Sequence, residues 1–186
     1  MPTDYTPNLN IALPYDGQQN AVTVIAQAIL DLDDAVASAG STRPHAIVTH
    51  NANQSVANAT LTALAFNTEA ADNNAIHDTA TNNSRLTLNK VGLWLVHGSA
   101  TFALNATGDR FLQIRVNGDA NNRPGNNSRG GSATLSPGVE VTALVRASAV
   151  TDYVELMAYQ NSGGALNVET SAAPTSPRFS AVWLSD

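Results

Sequence analysis

The sequence predicts a mainly β protein, an antiparallel jelly-roll sandwich preceded by an extended arm and one short amphipathic helix. Beyond residue 43, short segments of alternating apolar and polar residues recur between Asn, Gly, Asp and Pro, which is typical of antiparallel strands joined by turns. Before residue 40, apolar residues recur instead at helical spacing. We therefore divide the chain into an arm (residues 1–19), a helix (20–40) and a β domain (43–186).

The arm contains three prolines, Pro2, Pro7 and Pro14, and little periodicity. Proline fixes φ and favours extended geometry in the residue before it, so the arm is not predicted to be helical. It is either disordered or laid across a partner. Alternate residues suggest a face for docking, with these candidate contacts: Tyr5, Pro7, Leu9, Ile11 and Leu13.

The helix carries an apolar stripe whose members alternate three- and four-residue steps, as in the a and d positions of a heptad. These residues are Val22, Ile25, Ile29, Leu32 and Val36. Gly40 follows, where a helix C-cap is expected. The stripe either packs on the protein's own body or forms a trimeric coiled coil, which Ile at both a and d favours.

The predicted strands are short and are linked by turn-forming residues such as Asn117-Gly118 and Ser162-Gly163-Gly164. They are His45–Thr49, Thr60–Phe66, Ser84–Leu88, Gly92–Phe102, Phe111–Asn117, Val139–Arg146, Tyr153–Gln160 and Arg178–Leu184. About eight strands without intervening helices indicate a jelly roll.

Two predicted strands are apolar on both faces. After Gly92, Leu93 and Leu95 are predicted to lie on one face and Trp94 and Val96 on the other, so both faces of this strand are apolar. The strand from Tyr153 to Gln160 likewise has apolar residues on both sides. Such strands need a second covered face, which either another layer of the fold or another subunit supplies. We place Trp94 in the core or at a threefold interface, and the predicted interface contacts of the β domain are Trp94, Tyr153, Met157 and Tyr159.

The charge and composition exclude several classes of function. The net charge is −6, and only 13% of residues are charged. There is no basic footprint for nucleic acid. There is no cysteine, so disulfides and thiolate chemistry are excluded. No apolar run is long enough to span a membrane, and we expect synthesis in a cytoplasm without export through a signal peptide.

No pattern of residues indicates an active site. The four histidines, His45, His50, His77 and His97, lack the spacing of a metal site. No Gly-x-Ser-x-Gly nucleophile elbow is present. The Gly-rich stretch 125–131 lacks the lysine and helix of a phosphate loop and is predicted to be a flexible loop. We expect no enzymatic activity, no cofactor and no metal.

The β domain resembles the C1q/TNF-like jelly-roll superfamily. Six segments in order carry the resemblance: His45–Val48, Ile76–Asp78, Gly92–Val96, Leu112–Gly118, Asp152–Leu156 and Phe179–Leu184. They are similar to the opening strand of the family, its glycine-plus-aromatic strand, its strand ending in Asn-Gly and its closing Phe-Ser strand. The resemblance implies a homotrimer about a threefold axis.

Other segments resemble bacteriophage virion proteins: residues 5–14, 81–85, 105–108 and 159–164. This resemblance implies a tail or fibre protein with an N-terminal virion anchor and an outward head that contacts host-surface polysaccharide. The alternative is a capsid decoration or head fibre protein with a purely structural role. Either would be assembled in the host cytoplasm and released by lysis. The candidate ligand loops hold Asn73, Asn74, Asn82, Asn83, Asn121, Asn122 and Asn126.

Overall fold

The computed structural model describes residues 21–39, 43–170 and 177–186. It divides into two units, Met1–Thr42 and Arg43–Asp186. The elements are α1 (Ala21–Ala39), β1 (His45–Thr49), β2 (Gln54–Val56), β3 (Thr62–Ala63), β4 (Thr68–Asp72), β5 (Arg85–Thr87), β6 (Gly92–Phe102), β7 (Asn105–Val116), β8 (Gly125–Ser132), β9 (Gly138–Ala147), β10 (Tyr153–Gln160), β11 (Leu166–Glu169) and β12 (Arg178–Ser185).

Helix α1 spans the predicted segment, and its 19 residues contain neither Gly nor Pro. Three members of the predicted stripe, Ile25, Leu32 and Val36, are exposed, and Ile29 is half-buried. Much of the apolar stripe is therefore exposed on the helix as the structure describes it. The side chain of Val22 and the five arm contacts predicted between Tyr5 and Leu13 lie outside the described residues.

The second unit is a sandwich of two antiparallel sheets. The larger sheet has the order β2-β11-β6-β12-β1-β4, with β9 paired to the other edge of β6. The smaller sheet has the order β3-β10-β7-β8, with β5 also paired to β10. The predicted mainly β jelly roll with one short helix is thus confirmed.

One core fills the space between the sheets. Its largest fully buried apolar side chains include Trp94, Phe66, Phe102 and Phe179. The rings of Phe66 and Phe179 stack with centroids 5.7 Å apart. Strand β9 shows the rule that builds this core, since its buried and exposed residues alternate without interruption from Gly138 to Ala147.

The predictions of flexible and strand segments need several corrections. The Gly-rich stretch 125–131 is not a loop but most of β8, which pairs with β7. Strand β7 begins at Asn105, earlier than predicted, and it pairs with β8 through its added residues as well as through the predicted segment from Phe111 to Ile114. The predicted strand Thr60–Phe66 is reduced to Thr62–Ala63. The strands β2, β4 and β11 were not predicted; β2 and β11 are short and pair with each other.

Candidate self-association face

Strand β6 positions the candidate site because it orients four consecutive apolar residues. It begins at Gly92, where φ is +128°, a backbone conformation that residues other than glycine rarely adopt. A Cβ at this position would clash with the carbonyl oxygen of Ser185. Trp94 and Val96 then point into the core, whereas Leu93 and Leu95 point away from it. The predicted alternation of this strand is confirmed.

Trp94 lies entirely within the core of the single chain. Its side chain is fully buried, and its indole N–H donates a hydrogen bond of 2.9 Å to the carbonyl oxygen of Lys90. Of the two positions predicted for Trp94, the structure shows the core. Its assignment as an interface contact is therefore wrong, because a fully buried side chain offers no surface to another subunit.

An apolar row crosses the outward face of the larger sheet beside β6. Leu95 pairs with Val182 of β12 on one side and with Leu144 of β9 on the other. Leu95 is 37% exposed and Leu144 is 57% exposed, while Val182 is half-buried. Neighbouring strands lie about 5 Å apart, so these three side chains form one continuous surface. We call Leu95, Leu144 and Val182 the apolar row.

The apolar row is not explained by the pattern of its own strands. The outward residues Glu140, Thr142 and Arg146 of β9 are polar, as expected for the wet side of a half-buried strand. Leu144 interrupts this pattern. A monomer gains nothing by exposing a leucine there, whereas an interface with another subunit would bury it.

The same face becomes polar towards the other end of the strands. There, His97 accepts or donates a hydrogen bond of 2.9 Å between its Nδ1 and the Oγ1 of Thr142. Below it, a shallow cleft of about 350 Å³ is lined by His97, Ser99, Glu140, Arg178 and Ser180. The face thus combines an apolar row with a polar margin, the anatomy of many protein interfaces.

The other predicted interface residues lie on the opposite side of the sandwich. Tyr153, Met157 and Tyr159 point outward from β10 in the smaller sheet. The ring of Tyr159 contacts that of Phe111 edge-on, with centroids 6.4 Å apart, and Met157 is buried. Tyr153, Met157 and Tyr159 thus share the smaller sheet while Trp94 lies in the core, so the structure does not bring the four predicted contacts together.

The predicted ligand loops are distributed over different parts of the domain. Asn73 donates to the carbonyl oxygen of Arg43 and accepts from the backbone of His45, so it lies where the chain enters the β domain. Asn74 is hydrogen-bonded to Asn89 in the same region. Asn122 is bonded to the backbone of Val116 at the end of β7.

Four further asparagines complete this comparison. Asn82 and Asn83 occupy the turn before β5, and Asn82 has a φ of +51°. Asn121 lies in an exposed turn, where its backbone N–H donates to Asp119. Asn126 is not in a loop, as predicted, but within β8, opposite Gln113. The reason is that the stretch 125–132 pairs with β7 as a strand.

Within the described ranges, no three His, Cys, Asp or Glu side chains are grouped as metal ligands would be. His77 is buried, and its ring contacts Glu69 through Nδ1 at 3.0 Å and the carbonyl oxygen of Asn83 through Nε2 at 3.2 Å. In the part of the chain that the structure describes, no helix has the length and apolar character needed to cross a membrane.

Comparison with solved structures identifies the architecture. Murine APRIL, solved at pH 5.0, is similar with a TM-score of 0.58 and 9% sequence identity, over 77% of this chain and 100% of that chain. The fold is a TNF-like jelly roll. Eiger TNF from S. frugiperda is also similar, with a TM-score of 0.54 and 11% identity over 78% of this chain and 95% of that chain. No protein-family model and no curated protein matches the chain.

The apolar row could be read from the sequence only in part. The alternation in β6 indicates that Leu95 points away from Trp94. That Leu144 and Val182 lie beside it depends on the register of β9 and β12, and these two residues follow Leu95 by 49 and 87 positions in the chain. The signal in the sequence is Leu144 itself, an apolar residue at a position of β9 where its neighbours on the same face are polar.

Proposed function

We propose that this protein is a non-enzymatic structural protein of a bacteriophage virion, a homotrimer whose jelly roll projects from the particle and takes part in attachment to the host surface. The observation that carries the self-association in this proposal is the apolar row on the outward face of the larger sheet. Self-association would remove the exposed surface of its leucines from water, and this burial would stabilise the assembly by about 25 cal/mol for each Å² of apolar surface.

The helix supports the same proposal independently. Its exposed stripe repeats at heptad spacing, and Ile25 and Ile29 occupy a d and an a position. Ile at both kinds of position favours more than two strands. Two heptads are marginal alone, but they would associate at high effective concentration once the β domains had assembled. The two apolar surfaces of the chain would thus reinforce one another.

The assignment to a virion rests on the segments that resemble phage tail and fibre proteins, residues 5–14, 81–85, 105–108 and 159–164. Residues 1–17 contain three prolines, two Asp and no Lys or Arg, a composition poorly suited to independent folding. We propose that three such arms anchor the trimer to other virion proteins, their weak contacts adding through effective concentration.

Incorporation into particles tests the assignment. Density-gradient-purified phage particles that encode this chain should contain it, as detected with an antibody raised against residues 43–186. Deletion of residues 2–17 should leave a folded trimer that no longer enters the particle. Particles without the chain would contradict the virion assignment, and normal incorporation of the truncated chain would show that the jelly roll makes the attachment.

Adsorption separates host attachment from a purely structural role. If the jelly roll contacts the host, the same antibody should slow adsorption of the particles to host cells, and its Fab fragment should do so without cross-linking them. If particles containing the chain adsorb at an unchanged rate with saturating Fab, the protein is instead a capsid decoration or head fibre component.

A further inference from the structure

A second cleft lies on the side of the sandwich opposite the apolar row. It has a volume of about 400 Å³ and is formed by the segment before β5, by β5 itself and by the start of β10. Its lining is mostly polar and includes Asp78, Thr81, Asn82, Arg85, Thr151 and Tyr153. This volume is within the range of small-molecule sites, about 300–1,000 Å³. We call it the Arg85 cleft.

Arg85 is held in a fixed orientation in this cleft. Its guanidinium lies over the ring of Tyr153, 4.1 Å from the centroid. Its Nε is 3.5 Å from Oε1 of Glu155, which also accepts a hydrogen bond from Ser84. The two terminal nitrogens of Arg85 make no hydrogen bond to any residue that the structure describes. An aromatic platform and a carboxylate thus orient a guanidinium whose outer edge is available.

The outer edge of a guanidinium matches a carboxylate, which it binds through two parallel N–H···O bonds. Fixing the side chain beforehand reduces the conformational entropy lost on binding. The side chain of Arg85 is 37% exposed, so a ligand can reach it. This geometry favours an anionic group on the ligand.

Asp78 restricts what kind of anion can bind. Its Oδ1 accepts hydrogen bonds from the backbone N–H groups of Thr81 and Ala80, which hold the pKa of this carboxyl below its ordinary value. The cleft therefore contains an ionised acid as well as Arg85. A small dianion such as phosphate would meet this negative charge, whereas a hydroxyl group would donate a hydrogen bond to it.

The remaining polar groups also suit hydroxyls. The lining supplies Thr81, Thr87 and Thr151 with the amide of Asn82. His77 contributes only a wall, because both of its ring nitrogens are engaged with Glu69 and Asn83. One fixed cation, one acid and several hydroxyl and amide groups are complementary to a single sugar ring that carries one carboxylate and hydroxyl groups.

From these features we infer that the Arg85 cleft binds a carboxylated sugar, with the sugar carboxylate on the guanidinium of Arg85 and its hydroxyls on Asp78, Asn82 and the threonines. The inference rests on the proposed function and specifies the saccharide that the jelly roll would contact. The cleft lies on the smaller sheet, on the side of the sandwich away from the apolar row.

Two matched saccharides test the inference on the purified full-length protein. Trigalacturonic acid and galactotriose of the same linkage differ in having a carboxylate or a hydroxymethyl group on each ring. Isothermal titration calorimetry and saturation-transfer NMR should show trigalacturonate binding with a dissociation constant in the millimolar range or below. Galactotriose should bind at least tenfold more weakly.

Variants locate the site. Arg85→Gln should weaken trigalacturonate binding at least tenfold, and Arg85→Lys should weaken it severalfold because lysine keeps the charge but loses the planar fork. Arg123→Gln removes the same charge from an exposed residue outside the cleft and should leave binding unchanged. Circular dichroism and sedimentation of each variant would show that fold and assembly are kept.

Several results would overturn the inference: no trigalacturonate binding, equal affinity for both saccharides, equal loss in Arg123→Gln, or equally tight binding of sodium sulfate. The last would show a general anion site. Any of these would leave the incorporation test of the proposed function unaffected. Conversely, particles lacking the chain would contradict the virion assignment without changing the affinity of the purified protein.

Discussion

Asp152 provides the sharpest prediction about stability. It is only 9% exposed, and its carboxylate accepts four hydrogen bonds. Oδ1 accepts from Asn117 at 2.9 Å, and Oδ2 accepts from the backbone and hydroxyl of Ser148 and from the backbone of Ala149, at 2.7, 3.0 and 3.0 Å. One side chain thus ties the turn after β9 to the turn after β7. The side-chain bond from Asn117, followed by the bond from Ala149, lowers the pKa of Asp152 from 3.8 to about 2.

This pKa sets the size and the pH dependence of the contribution that the Asp152 carboxylate makes to the free energy of unfolding. A lowering from 3.8 to about 2 corresponds to about 2 kcal/mol of stability. Because the folded-state pKa of Asp152 is the lower one, the unfolded chain binds its proton first as the pH falls. The stabilisation is therefore complete above pH 3.8 and is lost as the pH falls through about 2.

The test is Asp152→Asn, which keeps the shape of the side chain but turns an amide N–H₂ towards other donors. Urea unfolding at fixed protein concentration should show a loss of about 2 kcal/mol at pH 7, declining below pH 4. The matched control is Asp119→Asn, because an amide oxygen can still accept the single bond from Asn121. A variant as stable as the parent at pH 7, or a difference that does not change with pH, would refute the reasoning.

Three further substitutions probe the core, the start of β6 and the helix. Trp94→Ala should lower the free energy of unfolding by roughly 3–5 kcal/mol in thermal or urea denaturation, because it leaves a cavity in the core; an unchanged midpoint would contradict this. Gly92→Ala should cost at least about 1–3 kcal/mol, whereas Gly130→Ala, whose Cβ would meet nothing within 4 Å among the described residues, should be nearly neutral. Ile29→Asp should weaken self-association at least tenfold by sedimentation, and Gln27→Glu, which adds the same charge on the side of the helix away from the stripe, should not; equal effects would place the helix interface elsewhere.

Long strands rich in apolar residues could be predicted from the sequence. Gly92–Phe102 and Tyr153–Gln160 match the structure at both ends, because each is a run of strand-forming residues flanked by turn formers. Strand β8 could not be predicted, since Gly125–Ser132 contains no large apolar residue and exists through its ladder with β7. This strand is determined by its pairing with a distant segment of the chain and not by the strand propensity of its own residues.

The candidate sites show the same limit. The outward direction of Leu95 follows from local alternation, but its neighbours in the apolar row come from β9 and β12. The Arg85 cleft joins residues near 78–87 to Thr151 and Tyr153 through the pairing of β5 with β10. Asn82 was among the predicted ligand residues because of its loop composition, whereas the role of Arg85 depends on Tyr153, which lies 68 positions further along the chain.

Sedimentation equilibrium of the purified chain at micromolar concentration tests the central claim, self-association through the apolar row, most directly. We predict a particle of three times the 19.4 kDa mass of the chain. Leu144→Asp should dissociate it, because a charge replaces a leucine at the interface, while Leu135→Asp, at a leucine that is 64% exposed in the loop before β9, should leave it intact. A parent protein that sediments as a monomer, or a Leu144→Asp variant that remains a trimer, would contradict the account.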